Sequence, residues 1–175
     1  NPLRPAILYG IDSRAEEEIK WLTQYYGDDV KKMFGHPICT GDTATKILWI
    51  KNHEPEVYEK TYKFLTGSSY LTAKLTGKYV IDQFLAKGSF RPLYNRDGTI
   101  NKENCRLYCR PDQIAECAYS FETAGTVTKK ASKECGLKEG TLVIVGTGDS
   151  TAEAISVGLV ESGTVFFQYG SSMFY

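Results

Sequence analysis

The chain has 175 residues, of which 42% are hydrophobic and 24% are charged, values typical of a globular domain rather than a disordered one. Its 21 lysine and arginine residues equal its 21 aspartate and glutamate residues, so no net charge favours nucleic acid or an anionic membrane. No signal peptide and no bilayer-length apolar run is visible, which predicts a cytoplasmic protein. The five cysteines lack zinc-binding spacing, so the sequence predicts free thiols and no metal ligands.

The beginning of the chain predicts a strand followed by two helices. Residues 5–12 (PAILYGID) form a short apolar run stopped by glycine, which indicates a buried strand. Ser13 and Glu16 then form the S-x-x-E pattern of a capping box, so we expect a helix to begin there. Gly27 is placed to end that helix, and residues 28–34 predict a shorter second one.

The next segments predict two further helices and a short strand. Thr43 is the expected N-cap of a helix that carries Ile47 and Trp49 at helical spacing. Pro55 suits the first turn of the following helix, because its missing N–H needs no partner there. Residues 63–65 indicate a brief strand.

Residues 68–87 predict two more helices. Either Ser68 or Ser69 begins the first, which Gly77 ends. Asp82 is the expected N-cap of the second, over residues 83–87.

The middle of the chain has a weaker pattern. Residues 91–110 are polar and rich in turn signals, with Asp97-Gly98 the clearest, and they predict a surface excursion. A small helix is expected over residues 111–119, and apolar residues every four positions predict another over residues 127–135.

The last third has the most regular pattern. A strand over residues 142–145, a helix over residues 150–157 and a strand over residues 164–169 give a β-α-β order. Alternation of this kind predicts an α/β fold. The chain stops inside an apolar segment and begins without methionine, so we expect it to be a piece of a longer protein.

One carboxylate lies where α/β proteins bind their ligands. Gly146 and Gly148 allow a tight turn between strand and helix, and Asp149 follows directly. An aspartate held there can take a proton from a hydroxyl group or help to hold a magnesium-bound phosphate. Two readings stay open, because Ser150 and Glu153 form a capping box that would leave Asp149 as an ordinary turn residue.

A second polar turn follows the last predicted strand. Gly170, Ser171 and Ser172 offer N–H and hydroxyl groups that could hold a phosphate, and a plain hairpin turn explains them equally well. Neither the P-loop pattern nor the G-x-G-x-x-G pattern is present near Asp149.

Several stretches together resemble the FGGY carbohydrate kinases, and among them the xylulokinases. They occur in the family's order and spacing and cover nearly the whole chain: PAILYGIDSRA, TATKILWIKNHEPEVYEK, YLTAKLTGKYVID, GTVTKKASKECGLKEGTLVIVGTGDSTAEAISVG and GTVFFQYGSS.

This resemblance implies a fold and an activity. The fold would be the actin-like, ribonuclease-H-like one, incomplete here because the family's first phosphate hairpin and its second domain are missing. Residues 1–175 would then be part of the N-terminal sugar-binding domain. The activity would be ATP-dependent phosphorylation of a sugar or polyol, with Mg²⁺ as cofactor, and the chain alone is expected to be inactive.

The resemblance also assigns roles to individual residues. Asp149 would be the catalytic base and would contact the sugar together with Ser150. Gly170, Ser171 and Ser172 would contact the ATP phosphates. Three positions depart from the family pattern: Ser150 replaces an amide side chain, Ser171 replaces a threonine, and Ser69 stands where relatives often carry an aspartate before Tyr-Leu.

Further residues match family positions, but we expect structural roles for them: Asp12, Arg14, Lys46, Trp49 and Asp82.

A different class of function stays open from the sequence. A non-catalytic actin-like module that binds sugar or nucleotide would share most of these patterns, although it would have no need of a base at Asp149. Sugar and ATP are the expected partners, without nucleic acid or membrane. Pairing of the strand edge at residues 164–169 with a second copy would give a homo-oligomer.

Overall fold

Short helices account for most of the regular structure in the computed structural model, which describes residues 1–169 and the backbone of residues 173–174. The helices of this described part are α1 (Glu16–Tyr26), α2 (Val30–Phe34), α3 (Thr43–His53), α4 (Pro55–Lys60), α5 (Gly67–Thr76), α6 (Gln83–Lys87), α7 (Lys102–Tyr108), α8 (Lys129–Cys135) and α9 (Asp149–Ser156). The strands are β1 (Val80–Asp82), β2 (Glu116–Ala118), β3 (Thr123–Thr126), β4 (Leu142–Ile144), β5 (Gln168–Tyr169) and β6 (Met173–Phe174).

The predicted helix ends are confirmed where glycine terminates the helix. Gly77 after α5 and Gly136 after α8 adopt φ values of 75° and 77°, a left-handed conformation that side chains with a Cβ rarely adopt. Gly27 ends α1, as the sequence predicted.

The predicted helix starts are confirmed in part. Asp82 caps α6 by accepting hydrogen bonds from two backbone N–H groups, as expected. Thr66 rather than Ser68 or Ser69 caps α5, and Asp42 rather than Thr43 precedes α3.

The capping box predicted at the start of α1 is not formed. The helix begins at Glu16 after Ala15, and no side-chain cap is made. Only the carbonyl group of Ser13 takes part, accepting from the Glu16 N–H.

Two predicted strands are wrong, because neither has a neighbouring strand to pair with in the described part of the chain. Residues 5–12 are irregular, and Tyr9 and Ile11 expose 78% and 80% of their surface. Residues 63–65 make a single backbone hydrogen bond of the kind that joins strands, from the Phe64 N–H to the Gln113 carbonyl. An apolar run alone is not sufficient for a strand, since its backbone groups need partners.

Residues 91–119 differ most from the prediction. The expected surface excursion contains α7, whose Cys105 and Tyr108 are fully buried, although the predicted turn is present as Gly98 with φ 88°. The expected helix over 111–119 is a single 3₁₀ turn, Pro111–Gln113, followed by β2.

The strands form three separate two-stranded sheets within the described residues. β1 and β2 are parallel, with Val80 opposite Glu116, whereas β3 and β4 are antiparallel, with Thr126 opposite Leu142. β5 and β6 pair antiparallel, with Gln168 opposite Phe174. The predicted β-α-β order is therefore present, but its strands lie in different sheets, and the strand expected over residues 164–169 is reduced to β5.

The core lies between α1, α2, α3 and α7 and the β1–β2 pair. Its largest fully buried apolar side chains are Tyr108, Phe34, Phe90, Leu22, Ile47, Ile81, Leu93 and Ile114. Among the residues that the structure describes, no helix combines the length and apolar character needed to cross a bilayer.

Candidate functional site

The loop between β4 and α9 is fixed to its surroundings by backbone hydrogen bonds. Val145 is 3% exposed, and its N–H donates to the Glu122 carbonyl at 2.9 Å. The N–H of Gly146 donates to the Ser120 carbonyl at 3.0 Å, and a φ of 75° at Gly146 turns the chain there. The direction in which the chain leaves β4 is therefore set by residues that directly precede β3.

A side-chain hydrogen bond ties the same loop to the start of α6. The Thr147 hydroxyl donates to Asp82 Oδ1 at 2.9 Å. That oxygen also accepts from the N–H groups of Phe84 and Leu85, at 3.0 and 3.3 Å. Because Asp82 is 3% exposed, these bonds are shielded from competing water.

The glycine before α9 packs closely on α6. A Cβ atom at Gly148 would lie 3.3 Å from Leu85 Cδ2, so a larger residue would have to push the leucine aside. Thr147 and Gly148 together hold the N-terminus of α9 against α6.

Asp149 is the first residue of α9, and its side chain is accessible to solvent. Its Oδ1 accepts from the Ser150 N–H at 2.9 Å, its one side-chain hydrogen bond within the described part of the chain. The site thus presents an accessible carboxylate at the end of a strand, on a loop that is itself anchored. Such a group can accept a proton or contribute to a cation site.

The capping box predicted at Ser150 is wrong. The N-cap is Gly148, which offers no side-chain cap, so Ser150 is the second residue of the helix and half-buried. Glu153 does not reach back to the helix start but accepts from Gln168 Nε2 at 3.0 Å. Ser150 therefore has no capping role that competes with contact to a ligand.

The predicted phosphate turn, made of Gly170, Ser171 and Ser172, lies outside the described residues. Its role stays a prediction.

A second polar cluster, which contains Asp12, Arg14, Lys46 and Trp49, lies between the chain start and α3. Asp12 accepts two hydrogen bonds from the Arg14 guanidinium, both at 2.8 Å, and this pairing lowers the pKa of Asp12. The guanidinium lies over the Trp49 ring, 4.8 Å from its centroid. Lys46 Nζ donates to the Leu8 carbonyl at 2.6 Å, and burial lowers the pKa of Lys46.

The structural roles predicted for Trp49 and Asp82 are confirmed. Trp49 stacks on His53 with the ring centroids 5.0 Å apart, and Asp82 caps α6. What the sequence could not indicate is the bond from Thr147 to Asp82, since the two residues are 65 positions apart.

Solved structures define the fold class. The structure of a xylulose kinase from Rhodospirillum rubrum superposes with a TM-score of 0.85 at 27% identity, over 96% of this chain and 34% of that one. A Plasmodium falciparum glycerol kinase with ADP gives a TM-score of 0.84 at 20% identity, over 99% of this chain and 35% of that one. The fold is accordingly the actin-like, ribonuclease-H-like one, as the resemblance implied.

Sequence comparison defines the family. The model of the FGGY family of carbohydrate kinases, N-terminal domain, matches residues 1–156, so the chain belongs to this family. The xylulose kinase of Escherichia coli (strain K12) is 30% identical over 99% of this chain and 35% of its own length. The xylulose kinase of Bacillus subtilis (strain 168) is 28% identical over 97% of this chain and 34% of its own length. The chain thus spans about a third of the length of these curated relatives.

Proposed function

We propose that residues 1–175 are part of the sugar-binding N-terminal domain of a xylulokinase-like carbohydrate kinase. The whole protein would transfer the γ-phosphoryl group of ATP to a hydroxyl group of a sugar or polyol. Membership of the FGGY family and the xylulose kinases among its relatives support this proposal. The observation that carries it is the accessible Asp149 carboxylate at the start of α9, on a loop anchored to α6.

Asp149 acts as the general base in this proposal. Its carboxylate accepts the proton of the sugar hydroxyl while that oxygen attacks the γ-phosphorus in line and ADP leaves. A positioned base contributes about 10²- to 10⁴-fold in rate, so positioning and charge neutralisation supply the rest. The Ser150 hydroxyl, next to the base, hydrogen-bonds the sugar.

The nucleotide requires groups beyond Asp149. Gly170, Ser171 and Ser172 would donate N–H and hydroxyl groups to the ATP phosphates. Mg²⁺ in kinases is held by one or two carboxylates together with the phosphates, and an accessible carboxylate such as that of Asp149 fits that donor set. When bound, the ion neutralises phosphate charge. Further phosphate contacts would come from the family's first hairpin and second domain, so we expect the 175-residue chain alone to be inactive.

The test uses the full-length protein with a panel of ketopentoses, polyols and aldonates, followed by coupled detection of ADP release. We expect Asp149→Asn to lower kcat by about 10²- to 10⁴-fold with a smaller change in sugar KM. Asp28→Asn, at an exposed aspartate in the turn between α1 and α2, is the matched control and should leave kcat unchanged.

Two outcomes would contradict the proposal. If Asp149→Asn keeps its activity, the base lies elsewhere. If the wild-type protein binds sugar but releases no ADP with any member of the panel, the protein is a non-catalytic sugar-binding module. Sugar-dependent ADP release by the 175-residue chain would overturn its expected inactivity.

A further inference from the structure

Three side chains with metal-binding chemistry converge in the loop between α2 and α3, away from the groups assigned to the proposed reaction. They are His36, Cys39 and Asp42, and their ligand atoms all lie within 4.8 Å of one another. His36 and Cys39 are exposed, whereas Asp42 is buried. The sequence predicted no metal ligand because the cysteines lack metal-binding spacing among themselves, whereas this set joins three different residue types.

We propose that His36 Nε2, Cys39 Sγ and Asp42 Oδ1 bind one Zn²⁺ ion. Bond lengths of about 2.0 to 2.3 Å place neighbouring ligand atoms of a tetrahedral zinc site about 3.3 to 3.8 Å apart. His36 Nε2 and Asp42 Oδ1 are already 3.4 Å apart. Cys39 Sγ lies within 4.8 Å of a ligand atom of each of the other two residues, and rotation of this exposed side chain about its Cα–Cβ bond is the movement that would bring it to the ion.

The histidine is oriented for coordination by its second ring nitrogen. His36 Nδ1 lies 2.8 Å from the Pro37 carbonyl oxygen, which can only accept, so Nδ1 carries the proton of that bond. In the neutral ring this leaves the Nε2 lone pair directed at Asp42. A carbonyl group behind the histidine is the usual arrangement in zinc sites, because it fixes both the tautomer and the ring plane.

The aspartate is held in place without the metal. Asp42 Oδ2 accepts from the Cys39 N–H at 2.8 Å, and the side chain is 1% exposed. An ionised carboxylate is poorly solvated at this buried position. A bound Zn²⁺ ion would balance the negative charge of the Asp42 carboxylate. The carboxylate and the Cys39 thiolate together would neutralise the two positive charges of the ion.

The ligand set distinguishes this site from the magnesium of the proposed reaction. Nitrogen, sulfur and oxygen together suit zinc, whereas magnesium prefers oxygen alone. Three protein ligands leave a fourth position, which water can fill since two of the ligands are exposed.

The loop also contacts the irregular segment near the chain start. The Thr40 hydroxyl donates to the Gly10 carbonyl at 2.7 Å, and a Cβ at Gly41 would lie 3.2 Å from the Tyr9 ring. Zinc bound in the loop between α2 and α3 would therefore also restrict the movement of Thr40 and Gly41, which contact residues 9 and 10.

Cobalt substitution tests this site in the full-length protein. Co²⁺ is titrated in the presence of excess Mg²⁺, and the near-ultraviolet absorption band of a thiolate bound to cobalt is recorded. We expect one equivalent of Co²⁺ to produce the band and Zn²⁺ to displace it. Cys39→Ser should abolish the band, whereas Cys135→Ser, at an equally exposed cysteine, should leave it intact.

The histidine variant tests the second ligand without disturbing the core. His36→Asn, at an exposed position, should weaken Zn²⁺ binding by more than about 100-fold, since even second-shell losses in metal sites cost about 10- to 100-fold. Absence of the band in the wild type, its persistence in Cys39→Ser, or unchanged zinc affinity in His36→Asn would each overturn the proposal.

Discussion

Helices α3 and α9 have similar lengths but very different surroundings. Six of the 11 residues of α3 are buried, whereas Ala154 is the single buried residue among the eight of α9. The segment after α9 continues this contrast, since Val160 and Phe167 expose 72% and 59% of their surface. Apolar packing therefore stabilises the first part of the chain, while the part that carries the proposed base has little of it.

Near the candidate site, hydrogen bonds rather than apolar packing fix the position of the loop before α9. The loop before α9 is held by backbone bonds at Val145 and Gly146 and by the bond from Thr147 to Asp82. Hydrogen bonds are directional, so they can fix an orientation even where little apolar surface is buried. The two regions differ in the interactions that stabilise them. A phenylalanine pair and a glutamine pair of identical substitutions measure this difference, and a threonine pair tests the polar anchor of the loop before α9.

The largest difference in the free energy of unfolding is expected between two substitutions of phenylalanine by alanine. Phe34 is fully buried and packs edge-to-face on Tyr26, so Phe34→Ala should lower the free energy of unfolding by about 3 to 5 kcal/mol. Phe167→Ala should change it by less than about 0.5 kcal/mol, because Phe167 is mostly exposed. Urea unfolding of both variants measures the pair, and a similar loss in both would show that residues after α9 pack more tightly than described.

The next effect is expected for glutamine. Gln113 is fully buried and donates to the carbonyl groups of Tyr58 and Thr61, both at 3.0 Å. Gln113→Leu leaves these buried acceptors without that donor and should cost about 2 to 3 kcal/mol. Gln168→Leu, which removes the exposed bond to Glu153, should cost less than about 0.5 kcal/mol. Equal midpoints in urea for the two variants would contradict the contrast.

The smallest change in stability is expected for threonine, with a consequence for activity. Thr147→Val removes the bond to Asp82 and should lower stability by about 1 kcal/mol. Because the loop then loses an anchor next to Asp149, the proposed phosphoryl transfer by the full-length protein should lose more in kcat than the sugar KM changes. Thr141→Val, which loses only an exposed bond to the Lys138 carbonyl, is the control. Equal kcat in both variants would mean that the bond from Thr147 to Asp82 does not position the proposed base.

Local signals in the sequence predicted the helix ends better than the strands. Gly77 and Gly136 end their helices because the left-handed conformation is a property of one residue, which a sequence shows directly. The pairing of β1 with β2 joins residues 80–82 to residues 116–118, and no local pattern encodes it. Helix α7 was missed because only Cys105 and Tyr108 among its residues are buried, too few to show a periodic apolar face.

In the candidate site, too, the features encoded locally were predicted better than those that depend on the three-dimensional fold. The position of Asp149 after a strand and two glycines was visible in the sequence, and its place at the start of α9 agrees with that. The capping pattern at Ser150 was misleading, because the N-cap is Gly148, two residues before the serine that the pattern takes as the cap. The anchor at Thr147 could not be predicted, since it joins residues 65 positions apart. The cluster around Asp42 was missed for another reason: its three residues occur at three-residue spacing in one loop, but the prediction of free thiols rested on the spacing among the cysteines alone.

The three bonds accepted by Asp82 also bear on how genetic data for this family member should be interpreted. One oxygen serves the cap of α6 and the loop that leads to Asp149, so a single substitution would disturb both. A mutational screen that scores growth on a sugar would rank Asp82 beside Asp149, although the Asp82 side chain is buried. Only a parallel measurement of protein abundance in the same cells would distinguish a loss of folded protein at Asp82 from a loss of catalysis at Asp149.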